Sequence, residues 1–157
     1  MKMKTYTAFF VFIGASLLAG YIGSMSTFEN IPTWYAALTK PSWTPPNWVF
    51  GPVWTTLYVL MGSAAALVWN SRKSRRRNAV VFFLAHLVVN AAWSIVFFGQ
   101  QDPGTALWII AVLWIMIATM MVWFWRFSHL ATYLLVPYLA WVSYASTLNA
   151  GVYFLNK

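Results

Sequence analysis

Charged side chains cut this chain into five long apolar stretches. Between successive Lys, Arg, Asp and Glu positions lie the uncharged runs 5–28, 41–71, 78–101, 103–125 and 127–156. Each can supply the roughly 20 apolar residues that cross a bilayer as a helix. The pattern predicts helices near 6–25, 49–70, 79–98, 105–127 and 130–154, with a loop over 26–48. With 61% hydrophobic and 8% charged residues, a water-soluble domain of this size would lack the polar surface to stay dissolved. The expected fold class is therefore an all-α integral membrane protein. It is read as a single domain over 1–157, a five-transmembrane-helix bundle with a structured loop between its first two helices.

Charge refines that picture. The net charge of +8 would suit a nucleic-acid partner if it were spread over a surface, but it is segregated. Lys2 and Lys4 precede the first helix, Arg72, Lys73, Arg75, Arg76 and Arg77 join the second to the third, and Arg126 joins the fourth to the fifth. A five-span chain places all eight on one side and leaves Lys40 and Lys157 on the other. The positive-inside bias then puts the N-terminus in the cytoplasm and the C-terminus outside, with membrane lipid as partner and no nucleic acid. The cluster from Arg72 to Arg77 reads first as a topology determinant and second as a holder of anionic headgroups. The first apolar run is too long, and lacks the small-x-small site, for a cleaved signal peptide. With no Cys in the chain, disulfides, thiolate metal sites and cysteine nucleophiles are excluded.

One segment is unlike the rest. From Trp34 to Trp54 the chain carries four Trp, four Pro and one Lys. Indoles favour the boundary between hydrocarbon and water, and prolines fix a non-helical path. The expectation is a rigid lid at a bundle mouth, with Trp34, Lys40, Pro41, Trp43, Pro45 and Pro46 as its members. Other indoles have plainer readings: Trp69, Trp123 and Trp125 as interfacial anchors, and Trp108 and Trp114 on different faces of one helix. Buried polar groups in hydrocarbon need partners. His86 and Asn90, four apart, share a face; Asn90 is read as facing a pocket and His86 as interhelical glue. His129 is read as solvated beside Arg126. Pro137 should kink the last helix or free a carbonyl. Ala15, Ala19 and Gly23 form a small-residue stripe suited to a close helix approach, in this chain or a second copy.

The motifs Trp34-Tyr35-x-x-Leu38-x-Lys40-Pro41-x-Trp43-x-Pro45-Pro46, Pro52-Val53-Trp54-Thr55-x-Leu57-Tyr58, Asn90-x-x-Trp93-Ser94 with Phe97-Phe98-Gly99, and Val136-Pro137-Tyr138-x-x-Trp141 with Leu148-Asn149 occur in this order. On them the chain resembles the TspO/MBR family of tryptophan-rich sensory proteins, known in animals as translocator protein or peripheral-type benzodiazepine receptor. The resemblance implies a homodimeric five-helix bundle that binds porphyrins and other tetrapyrroles, as well as isoquinoline-carboxamide and benzodiazepine ligands. Its animal members also bind cholesterol. Carried over by motif, the ligand-binding residues are Tyr35, Trp54, Tyr58, Asn90, Trp93, Trp141, Ala145 and Leu148. No cofactor and no metal are required, and porphyrin is the expected ligand. The spacing Leu148, Tyr153, Lys157 fits a loose sterol pattern matched by many membrane proteins, and no sterol site is read from it.

Two classes of function follow. One is a tetrapyrrole-binding protein that senses, sequesters or transports its ligand. The alternatives are a light- and oxygen-dependent protoporphyrin-degrading enzyme, with Trp54 and Trp141 as candidate reactive indoles, and a lipid- or sterol-binding protein. Glu29 and Asp102 are the only carboxylates, both in expected loops, so acid, base or metal chemistry has little to work with. Light-driven oxidation would need only a bound photosensitiser and an oxidisable indole. Binding is the reading the residues favour.

Overall fold

In the computed structural model, which describes residues 5–157, the chain forms five long helices: α1 Thr5–Asn30, α2 Phe50–Asn70, α3 Arg76–Ser94, α4 Pro103–Trp125 and α5 His129–Leu155. No strand occurs among the described residues. Among the described residues four stretches are long and apolar enough to cross a membrane: Thr5–Tyr35, Asn47–Asn70, Arg76–Gly99 and Pro103–Trp125. α5 has the length, at 27 residues, but Ser, Thr, Asn and Tyr side chains and Pro137 make it more polar. The helices close into a ring in the order α1, α2, α5, α4, α3, with α2 also touching α3 across it.

The first helix outruns its expected end at residue 25. Nothing between Met25 and Asn30 breaks a helix, so the α-helix continues to Asn30 and then passes into a π-helical segment, Ile31–Tyr35. The cause of that change is Pro32, near its start. Lacking an N–H, proline cannot make the bond to the fourth residue back, and a wider turn accommodates it. The connection to α2 is therefore shorter than 26–48, and a 3₁₀ turn, Asn47–Val49, leads into α2. A second π segment, Ile95–Gly99, ends α3, with the Gln100 N–H donating to the Ile95 carbonyl at 2.9 Å.

Hydrogen bonds fix which loops share an end of the bundle. Asn70 donates to the Thr5 carbonyl and Lys73 to that of Arg126, so the start of α1 and the α2–α3 and α4–α5 turns lie together. At the other end Gln101 donates to Asn30 Oδ1, Asn149 to the Pro103 carbonyl and Asn156 to the Thr39 carbonyl. Arg72, Lys73, Arg75, Arg76, Arg77 and Arg126 thus occupy one end, and Glu29, Lys40, Asp102 and Lys157 the other. Lys2 and Lys4, which belong to the same charge argument, lie outside the described residues.

The segment between α1 and α2 is fastened to α5. Thr39 and Asn156 exchange two hydrogen bonds, at 2.9 and 2.8 Å. Trp43 Nε1 donates to Thr147 Oγ1 at 3.3 Å and Tyr144 OH donates to the Trp43 carbonyl at 2.6 Å. The Pro41 ring packs directly on Gly151, where any side chain would collide with it. The Lys40 ammonium donates to the carbonyls of Tyr35, Leu38 and Ala36 at 2.8, 3.1 and 3.3 Å. Its three donors go to carbonyls at the C-terminal end of the first helical stretch, where the helix dipole favours a cation.

Candidate functional site

Where α1, α2 and α3 meet, a cavity of about 520 Å³ remains unfilled by side chains. Small residues make the room on the α1 side: Gly20, Gly23, Ser24 and Thr27. α2 contributes Gly51, Trp54, Thr55 and Tyr58, and α3 contributes Asn90, Trp93 and Ser94. Larger side chains, among them Leu17, Tyr21, Phe28, Trp48, Phe50 and Phe98, line the rest. Trp54 and Tyr58 are one turn apart on α2 and stack at 5.7 Å and 29°, while Trp93 faces Trp54 at 6.1 Å. The result is a wall of aromatic faces, suited to a flat π-system.

Behind that wall runs a chain of buried hydrogen bonds. Tyr58 OH donates to Asn90 Oδ1 at 2.7 Å. Asn90 Nδ2 donates to Tyr138 OH at 2.9 Å, and Tyr138 lies 2.7 Å from His86 Nε2. His86 Nδ1 is 3.2 Å from the Phe83 carbonyl. A carbonyl can only accept, so Nδ1 carries a proton, and in a neutral imidazole Nε2 must then accept from Tyr138. The direction of every bond follows from that terminus: Tyr58 to Asn90, Asn90 to Tyr138, Tyr138 to His86, His86 to Phe83. His86, Asn90 and Tyr138 are 0%, 2% and 0% exposed, so each bond replaces one that water cannot supply.

Two further polar clusters tie the cavity walls together. Ser94 donates to the Gly23 carbonyl at 2.9 Å, and Thr27 lies 2.9 Å from Ser94 Oγ. This joins α1 to α3. Trp93 Nε1 donates to Asn149 Oδ1 at 3.1 Å, whose amide donates to the Pro103 carbonyl at 2.8 Å. One asparagine on α5 thereby holds α3 and the start of α4.

A model of the TspO/MBR family matches residues 12–155. The chain belongs to the TspO/MBR family. It shares 45% identity over 146 residues with the tryptophan-rich protein TspO of Chlorobaculum tepidum, covering 92% of each chain. With the translocator protein of Homo sapiens it shares 41% over 143 residues, which is 88% of this chain and 84% of that one. With protein CrtK of Rhodobacter capsulatus it shares 35% over 153 residues, or 96% and 93%. Four apolar helices and membership of this family make it an integral membrane protein.

Of the residues carried over from the TspO/MBR motifs, the cavity brings together Trp54, Tyr58, Asn90 and Trp93. Tyr35 is buried instead against Phe97 and Phe98, at 6.2 and 5.5 Å between ring centroids. Ala145 and Leu148 are packed in the bundle interior, 4% and 6% exposed. Trp141 lines a separate open groove between α2 and α5, with Pro52, Leu60, Pro137 and Tyr144. Its ring Nε1 is buried without a hydrogen-bond partner. None of Trp34, Lys40, Pro41, Trp43, Pro45 and Pro46 lines the cavity; from the connection between α1 and α2 it is Ile31, Asn47 and Trp48 that do.

The α1 wall was absent from the sequence reading, because Gly, Ser and Thr on an apolar helix look like packing. A signal existed in Gly23, part of the small-residue stripe, whose added Cβ would meet Ser94 Cβ at 3.2 Å. The partner at that point of the stripe is α3 of the same chain. Tyr138 was also missed as a site residue, although it stands inside a quoted motif beside Pro137.

Proposed function

We propose that this protein binds a tetrapyrrole of the porphyrin or haem type in the cavity between α1, α2 and α3, in a sensory, sequestering or transporting role. The observation that carries the reading is the stacked aromatic wall of Trp54, Tyr58 and Trp93 along a cavity of about 520 Å³. A macrocycle gains about 0.5–1.5 kcal/mol from each aromatic pair beyond the area it buries. The names of its relatives, translocator protein and tryptophan-rich sensory protein, favour a membrane role of this kind. Binding is preferred over photodegradation because Trp54 and Trp141 line different spaces, so one ligand held in the cavity meets only one of the two candidate indoles. In the membrane, α5 is the fifth span, and the basic end of the bundle faces the cytoplasm.

The test is quenching of tryptophan fluorescence by protoporphyrin IX in detergent, in darkness and in light, for the native chain and for Gly51→Phe. Gly51 lines the cavity, and a Cβ there meets nothing within 4 Å, so the backbone has room for a side chain at the cavity wall. Saturable quenching that is independent of light and weakened at least tenfold by Gly51→Phe is the expected result. Equal quenching of both chains would move the ligand elsewhere. Porphyrin loss only in light and only with the intact native chain would favour the enzyme.

A further inference from the structure

Five of the six hydroxyl groups that line the cavity, all but that of Tyr21, spend their protons on the protein. Ser24 donates to the Tyr21 carbonyl at 2.8 Å and Thr55 to that of Gly51 at 2.9 Å. Ser94 donates to the Gly23 carbonyl, which leaves Thr27 to donate to Ser94 or, at 3.3 Å, to the same carbonyl. Tyr58 donates to Asn90. The serine and threonine protons go to backbone or to a neighbour on an adjacent helix, which lets each hydroxyl offer lone pairs to a guest.

Tyr58 differs from the other four because its direction is imposed from a distance. Asn90 could present either its oxygen or its nitrogen to Tyr58. It presents the oxygen because its nitrogen is taken by Tyr138; Tyr138 can accept that bond because its own proton goes to His86 Nε2; and Nε2 accepts because Nδ1 donates to the Phe83 carbonyl. We propose that the cavity recognises its ligand through an N–H or O–H of the ligand, accepted by Tyr58, and that His86 is the positioning residue that sets this polarity through Tyr138 and Asn90. This rests on the reading that the cavity is the ligand site.

Removing the acceptor at position 86 makes a directional statement. In His86→Phe the ring volume stays, but Tyr138 has no acceptor on α3 except Asn90. The Asn90 amide then turns over, its oxygen accepting from Tyr138 and its nitrogen donating to Tyr58. The Tyr58 proton is released towards the cavity, and the site that accepted now donates. His86→Gln keeps an amide oxygen for Tyr138 and an N–H for Phe83, and preserves the original order.

Carbazole and dibenzofuran are tricycles of nearly the same shape that differ in one respect: the first carries an N–H where the second carries an ether oxygen. Calorimetric titration of both into the purified full chain in one detergent gives a ratio of affinities in which micelle partitioning cancels between variants. The native chain is expected to favour carbazole by about three- to tenfold, the worth of one net hydrogen bond. His86→Phe should lower that ratio to one or invert it while dibenzofuran still binds, which also reports a folded protein. His86→Gln should retain the native ratio. If His86→Phe does not fold, Tyr58→Phe serves in its place, removing one oxygen and bringing the ratio to one. Equal affinity of the two probes for the native chain, or a ratio unmoved by His86→Phe or by Tyr58→Phe, overturns the proposal. Binding of both probes unaffected by Gly51→Phe shows that the cavity is not the site, and removes the functional reading along with it.

Discussion

Gly20 is where a single methyl group should disturb the aromatic wall of the cavity. It lies on α1 against the ring of Tyr58, and a Cβ built on it would come within 2.7 Å of ring atoms Cδ2 and Cζ. Carbon atoms in contact prefer about 3.5–4.0 Å, so the ring in Gly20→Ala must retreat by about 1 Å. The Tyr58 ring is not free to do so: it stacks on Trp54 and its hydroxyl holds Asn90 Oδ1 at 2.7 Å. A displacement of that size takes the bond past the limit of a real hydrogen bond. Asn90, 2% exposed, then keeps an oxygen without a donor, at a cost of about 1–3 kcal/mol. Against this stands the gain from replacing a helical glycine by alanine, about 1 kcal/mol. The net expectation is a loss of about 0–2 kcal/mol in stability, with a larger proportional loss of ligand affinity because the aromatic wall itself shifts. Gly14→Ala is the internal control, since a Cβ there meets nothing within 4 Å and only the helical gain remains. Thermal unfolding in detergent and protoporphyrin titration of both variants decide the matter. If Gly20→Ala is as stable as Gly14→Ala and binds as the native chain does, Tyr58 is not pinned and the account of the wall is wrong.

Gly62→Ala should be damaging, because its Cβ would lie 2.6–2.7 Å from the backbone of Phe12 and Ile13 and α1 must separate from α2. A loss of about 1–3 kcal/mol, read as a lowered unfolding temperature, is expected for such overpacking. Lys40→Met should leave porphyrin affinity within threefold of native, since Lys40 caps helix carbonyls, while hydrogen exchange across residues 38–44 accelerates. Hydrogen bonds from Thr105 hold the Asp102 carboxyl below its ordinary range. Its contribution to stability is therefore fully present above the unfolded pKa and lost as pH falls through the folded one; Asp102→Ala should flatten the acid side of an unfolding-temperature profile and leave neutral pH as its point of greatest difference from native.

Half of the residues carried over from the motifs, Trp54, Tyr58, Asn90 and Trp93, line the cavity together, and the pairing within each helix was legible from regular helix. Trp54 and Tyr58 are four apart, and Asn90 and Trp93 three apart, so once α2 and α3 are placed each pair shares a face. Tyr35 could not be placed in that way. The π segment Ile31–Tyr35 carries its side chains off the 3.6-residue spiral, and Tyr35 lands on Phe97 and Phe98. The anchoring of the α1–α2 connection to α5 was illegible for another reason: Thr39 and Asn156 are 117 residues apart, and neither residue type signals a partner. The charge pattern carried further, since the two ends of the bundle divide the described basic residues as the five-stretch pattern required.

The two π segments explain why the cavity lies at one end of the ring and not along its axis. Both occur at the end away from the basic turns, one closing α1 and the other closing α3. They pack on each other through Trp34, Tyr35, Phe97 and Phe98, with ring centroids 5.5–6.2 Å apart for the three cross-segment pairs. A π turn is wider than an α turn and is kept only where something compensates its poorer packing. Here the compensation is a cluster of four aromatic rings that fixes the ends of α1 and α3 relative to each other. Next to that cluster the helices meet through small side chains, Gly23 and Thr27 against Ser94 and Ala91, and further along through the Phe12 and Phe83 rings, 6.3 Å apart. The aromatic brace sets the spacing, Gly20, Gly23, Ser24 and Thr27 leave volume within it, and Trp54, Tyr58 and Trp93 face that volume across from them.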